Sequence, residues 1–115
     1  MKMKLWVDDV RPAPDGYFWC NSVNEAKRAI EDSENNPWYE RWENGICVER
    51  WQGFELIDID HDAGDFASDG GDYVKLLDWL EETGRNYPIR IHSMNPVGVQ
   101  NMRAIIQKNS WKEVK

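Results

Sequence analysis

Three short stretches of this 115-residue chain hold side chains able to bind a metal, exchange protons or grip a phosphate: Asp8-Asp9 with Arg11, Asp60-His61-Asp62, and His92-Ser93 with Asn95. The chain has two histidines, and both fall in this set. Two chemistries fit. In the first, Asp8, Asp9 and Asp60 offer oxygen-only donors to a hard divalent cation such as Mg²⁺ or Mn²⁺, which keeps several waters. In the second, His61 and His92 form an acid/base pair supported by Asp60. A neutral imidazole takes a proton from water while a protonated one donates to a leaving alkoxide. Opening a cyclic phosphodiester needs that division of labour, with Arg11, Ser93 and Asn95 as donors to the phosphoryl oxygens. Spacing alone does not choose between the two. Plainer readings compete with both: an Asp after a strand commonly shapes a turn, and a lone His at a strand end is commonly structural. Two of two histidines at equivalent ends, each beside a carboxylate or hydroxyl, weigh toward function.

The elements that must position these residues follow from hydrophobic pattern. Leu5-Trp6-Val7 is an apolar run ending in acids and a Pro/Gly-rich loop, which predicts a buried strand. Tyr17–Cys20 is a second short strand, and Asn21 or Ser22 can cap a helix running to about Ser33, with Glu25 completing a capping box with Ser22. Residues 35–53 form the least regular stretch, with a short helix expected to carry Trp38 and Trp42. Phe54–Asp60 is the next strong strand. A Gly/Asp-rich turn then leads to a helix whose apolar side carries Tyr73, Val74, Leu76, Leu77 and Leu80, with Gly84 at its end. Pro88–Ile91 begins a further strand, Pro96 starts a last helix, and Trp111–Val114 is a candidate fifth strand.

Strands alternating with helices predict one α/β domain over residues 1–115, with a parallel sheet covered on both faces. In such sheets ligands bind beyond the carboxyl ends of the strands. All three chemical stretches sit at those ends. Trp6, Trp79 and Trp111 read as core, and packing is also the favoured role for Trp38, Trp42 and Trp51.

Asp and Glu total 21 against 14 Lys and Arg, a net charge of −7. No basic stripe exists to neutralise a phosphate backbone, so long nucleic acids are not expected partners. A small phosphorylated ligand needs only local donors. Five acids, Asp8, Asp9, Asp60, Asp62 and Asp65, gather at the predicted rim, and they repel phosphate unless a cation or Arg11 intervenes. Cys20 and Cys47 have no metal-ligand spacing, and neither a secretory segment nor a membrane span is visible, so a reduced cytoplasmic protein is expected.

Three segments together resemble the cyclic-phosphate processing receiver domain, a relative of two-component receiver domains. They are Trp6-Val7-Asp8-Asp9-Val10-Arg11-Pro12-Ala13-Pro14, Ile59-Asp60-His61-Asp62-Ala63-Gly64-Asp65, and Ile91-His92-Ser93-Met94-Asn95-Pro96-Val97-Gly98 with Asn101-Met102. The resemblance implies a receiver-like (flavodoxin-like) three-layer α/β sandwich with a short, mostly parallel sheet. It places Asp60 at the phosphoacceptor position and Asp8 and Asp9 at the acidic pair. His61 and His92 match the two histidines from which cyclic-phosphate processing is inferred. Two departures stand out. The segment before Tyr17 is too short for the usual first helix, which becomes a loop, and the receiver lysine has no clear counterpart. Asp58, a carboxylate inside a strand, marks either an exposed edge or a further acid of the site.

The leading expectation is a hydrolase of the phosphodiesterase type acting on a cyclic nucleotide or an RNA 2′,3′-cyclic end. The alternative is a non-catalytic module that binds a cyclic nucleotide or a protein. A degenerate phosphoacceptor receiver ranks last because the lysine is missing.

Overall fold

A computed structural model describes residues 3–36, 39–51 and 53–115. Four strands form one sheet: β1 (Met3–Val7), β2 (Tyr17–Cys20), β5 (Phe54–Ile59) and β6 (Ile89–Ile91), in the order β2-β1-β5-β6. Every neighbouring pair in it is parallel. The helices are α1 (Val23–Asn35), α2 (Val74–Glu82) and α3 (Pro96–Lys108), and a 3₁₀ turn spans Gly64–Ser68. This is the receiver-like α/β arrangement expected.

Strand alternation divides the sheet into two unlike faces. Leu5, Val7, Cys20, Ile57, Ile59 and Ile89 join one core with Val23, Ala26, Ala29 and Ile30 of α1, Leu76, Leu77 and Leu80 of α2, and Met102 and Ile106 of α3. All three helices therefore bury their apolar stripes on the same side of the sheet. The handedness of the crossovers requires this: β2→β5 and β5→β6 both step in one direction, and right-handed connections then lie on one face. Burying each such Leu or Ile contributes roughly 1.5–3 kcal/mol.

The step from β1 to β2 runs the other way, so its connection lies on the opposite face. That connection is the loop 8–16, with no helix in it. Of the expected three layers, the third is thus a loop among the described residues. Under it, residues paired across strands share a face. Trp6 is in register with Trp19 and with Asp58, and Asp58 with Arg90. This face is built of aromatic and charged side chains.

Capping follows the sequence. The Ser22 hydroxyl accepts the Glu25 amide at 3.1 Å, and the Asn95 side chain accepts the Gly98 amide at 3.0 Å with Pro96 in the first turn. Trp111 is in the core as expected, Trp6 is buried on the loop-covered face, and Trp79 is partly buried. The 111–114 segment supplies a single bridge, Ile89 to Glu113, rather than a full strand.

The stretch 35–53 differs most from expectation. In place of a short helix it forms an antiparallel hairpin, β3 (Tyr39–Glu43) with β4 (Ile46–Trp51). Asn44 and Gly45 both take positive φ, 50° and 76°. Asn-Gly is the strongest sequence signal for a two-residue hairpin turn, because both central residues must adopt that conformation. Trp42 is 56% exposed, so it does not pack as expected. Trp38 and the side chain of Trp51 lie outside the described residues.

Candidate functional site

The carboxyl ends of β1, β5 and β6 deliver the predicted residues to one rim. A carboxylate oxygen from each of Asp8, Asp9 and Asp60 lies within 4.8 Å of the others. Asp8 is fully buried, and its Oδ1 accepts the backbone N–H groups of Val10 and Arg11, both at 2.9 Å. Burial pushes the Asp8 carboxyl up, but those two amides and His92 outweigh it and hold it below the ordinary carboxylate range. Asp9 goes the other way. Burial raises it, a backbone hydrogen bond lowers it, and the charges of Asp8 and Asp60 raise it further. Negative charge is therefore crowded at this point. The Tyr73 hydroxyl, bonded to the Asn21 carbonyl at 2.6 Å, is likewise pushed up by burial and by these acids.

His92 sits at the inner edge of the cluster with both nitrogens engaged. Its Nε2 is 2.9 Å from Asp8 Oδ2, and its Nδ1 is 2.5 Å from Asp58 Oδ1. Facing an acceptor on each side, the ring satisfies both only as a double donor. It stacks on Trp6 with centroids 3.8 Å apart and planes 5° from parallel. Asp58, also fully buried, accepts from Arg90 Nη1 at 2.9 Å and from the Tyr17 hydroxyl at 3.3 Å through its other oxygen. Burial pushes Asp58 up, yet His92 and Arg90 together hold it below the ordinary range. Asp58 is therefore no exposed edge. It is an interior acid behind the site.

His61 is arranged differently. Its Nδ1 lies 2.8 Å from Asp62 Oδ1 and 3.4 Å from Asn95 Nδ2. The nearer partner, Asp62, accepts a hydrogen bond from Nδ1–H, and in that tautomer the lone pair is on Nε2. Among the described residues Nε2 has no protein partner. The ring lies against the first turn of α3, where Gly98 makes room for it. A Cβ there would sit 2.5 Å from His61 Cδ2 and 2.7 Å from Nδ1. No hydrogen bond joins His61 to His92.

Of the other expected residues, Arg11 places Nε 4.0 Å from Asp8 Oδ2 with half its side chain exposed. The Ser93 hydroxyl accepts the Asn95 amide at 3.2 Å, and the Asn95 carbonyl oxygen is committed to capping α3. Strand parity is the signal that picks out Trp6 and Arg90 and decides between the two readings of Asp58. Each stands two residues before a predicted site residue, Asp8, His92 or Asp60, and so shares its face. Gly98 gave no such signal from the sequence.

A family model described as the cyclic-phosphate processing receiver domain matches residues 3–108. The chain belongs to that family. No curated protein and no solved structure matches. Among the described residues no helix is long and apolar enough to cross a membrane.

Proposed function

We infer that the protein is a cyclic-phosphate hydrolase in which His61 moves the proton and His92 holds the site together. The observation that carries this reading is the contrast between a His61 with carboxylate contact at Nδ1 alone and a His92 with a carboxylate on each nitrogen. In ring opening, water adds to phosphorus and one P–O ester bond breaks. His61 Nε2 accepts the proton from the attacking water, Asp62 supports the charge that develops on the ring, and solvent protonates the leaving alkoxide at the open rim. Arg11 and Ser93 donate to the phosphoryl oxygens, with the Asn95 amide beside His61. The sequence reading gave both histidines a proton to exchange. For His92, that would mean breaking one of two charge-assisted contacts.

The acidic cluster fits a hard divalent cation. Its donors are all carboxylate oxygens, their spacing suits one ion with ligand distances of about 2.0–2.6 Å, and Asp9, raised first by burial, is raised further by like charge that a cation would relieve. Asp9 and Asp60 would hold it directly, with Asp8, whose oxygens already accept two backbone amides and His92, adding negative charge beside them. When bound, it would offset the rim's negative charge and polarise a phosphoryl oxygen.

The test is incubation with 2′,3′-cyclic, 3′,5′-cyclic and cyclic-oligonucleotide substrates, with and without chelator, following loss and binding of each. Turnover sensitive to chelator supports both parts of the reading. Chelator-resistant turnover removes the cation but keeps His61. Tight binding with every ligand recovered intact would instead make the protein a binding module.

A further inference from the structure

A carboxylate in the middle of a central parallel strand is a poor choice for stability. β5 reads Phe-Glu-Leu-Ile-Asp-Ile, and Leu56, Ile57 and Ile59 around Asp58 are all buried. An isolated buried charge costs several kcal/mol unless it is paired and hydrogen-bonded. Asp58 meets that condition fully: one oxygen is bound by His92, and the other is shared by Arg90 and Tyr17. Arg90 comes from the adjacent strand β6 and Tyr17 from β2, on the far side of β1, and Lys4 lies over the Tyr17 ring at 5.4 Å. The acid is thus the hub of a layer that reaches across the sheet under the 8–16 loop.

What distinguishes this hub is the direction in which it passes its effect. Among the described residues His92 bonds both Asp58 and Asp8, and its ring is flat on Trp6, which removes rotation as a way to satisfy one acid alone. Asp8 Oδ1 is already fixed by the two backbone amides of the following turn. What His92 controls is therefore Oδ2, the Asp8 oxygen that is not committed to the backbone. We propose that Asp58 is a positioning residue that acts through His92 to keep Asp8 Oδ2 occupied by a protein N–H, so that Asp9 and Asp60 present the more open oxygens of the cluster. The proposal deepens the cation reading of that cluster and rests on it for one of its two tests.

The first test is a thermodynamic cycle on Mn²⁺ binding, read by titration calorimetry without substrate. Asp58→Asn keeps the shape but removes the negative charge that anchors His92. It should tighten Mn²⁺ binding by at least about fivefold, the scale of coupling between contacting groups. In a His92→Phe background, where the stack on Trp6 is kept and the relay is cut, Asp58→Asn should change the Mn²⁺ affinity by less than about twofold. An equal change in both backgrounds, or none in either, overturns the proposal. The second test uses the unaltered protein and needs neither a folded Asp58 variant nor a bound cation. Long-range ¹H–¹⁵N NMR should show protons on both His92 nitrogens that exchange slowly with water and have cross-peaks to the Trp6 indole. Rapidly exchanging or rotationally averaged ring protons overturn the proposal. If the unaltered protein binds no Mn²⁺ while His92 gives the expected spectrum, the cation reading fails and the positioning role stands.

Discussion

The two histidines stand at the carboxyl ends of neighbouring strands, yet their surroundings have opposite character. His92 is enclosed by Trp6, Asp8 and Asp58, with its side chain 7% exposed and no nitrogen to spare. His61, with its side chain 15% exposed, rests on the backbone of α3 with one carboxylate at Nδ1 and no protein partner at Nε2 among the described residues. Residue type is the same, and the positions differ by one residue: His92 is the first past β6 and His61 the second past β5. What separates them is the company kept on the sheet face. β5 and β6 place two further polar residues, Asp58 and Arg90, two positions before the rim on the loop-covered side, whereas His61 lies past the end of β5 and is placed by the turn that leads to α2. Enclosure makes a histidine a structural member. A single backing carboxylate leaves it free to work.

The strongest way to break this contrast is to remove the enclosure. Asp58→Ala leaves Arg90 and a doubly donating His92 without their acceptor, and taking one partner from a buried ion pair destabilises by about 3–5 kcal/mol. Urea unfolding should show that loss. A change below about 1 kcal/mol would mean that water replaces the carboxylate and that His92 is not enclosed as described.

On the other side, Gly98→Ala tests what holds His61. The added methyl group meets the ring directly, so the ring must shift away from its Asp62 contact. Turnover should fall on the order of tenfold to a hundredfold, as expected when a catalytic group is displaced by about an ångström. The urea midpoint should move far less than for Asp58→Ala. A large loss of stability with unchanged turnover per folded molecule would assign Gly98 to packing alone.

Acid sensitivity should also divide the two regions. Asp8 and Asp58 are both held below the ordinary carboxylate value of 3.8 in the folded protein. A depressed folded-state value contributes stability that is present above the unfolded value and is lost as pH falls through the folded one. Stability should therefore decline as pH drops below about 4, and the slope should be shallower in Asp58→Asn. An unchanged slope in that variant would show that other carboxylates dominate acid unfolding.

The smallest effect is expected from the hairpin. Trp42 is exposed, and its indole N–H bonds only to Glu40, at 2.9 Å, in described contacts. Trp42→Ser should alter the unfolding free energy by no more than about 0.5 kcal/mol and leave turnover unchanged. A drop of several kcal/mol would place Trp42 in the fold's support.

Much of this architecture was readable beforehand because it rests on local signals. Apolar runs ending in acids mark β1 and β5, Ser22 and Pro96 mark helix starts, and the rim residues follow from strand ends. The hairpin was missed although Asn44-Gly45 announces it, since the surrounding charges obscure any strand alternation. Asp58 was singled out but not placed, because its partners Tyr17, Arg90 and His92 lie on other strands and only the register brings them together. The unequal roles of the two histidines were out of reach for the same reason. They depend on Trp6 and Gly98, residues whose types carry no sign of the contact they make.

The most direct test compares ring opening of a turned-over cyclic phosphate by the unaltered protein, His61→Ala, and His61→Ala with added imidazole, followed by ³¹P NMR. Loss of the general base should lower the rate by at least about a hundredfold. Free imidazole, entering the space left at an open rim, should restore a substantial part of it. Undiminished turnover by His61→Ala would contradict the assignment of the proton transfer to this residue.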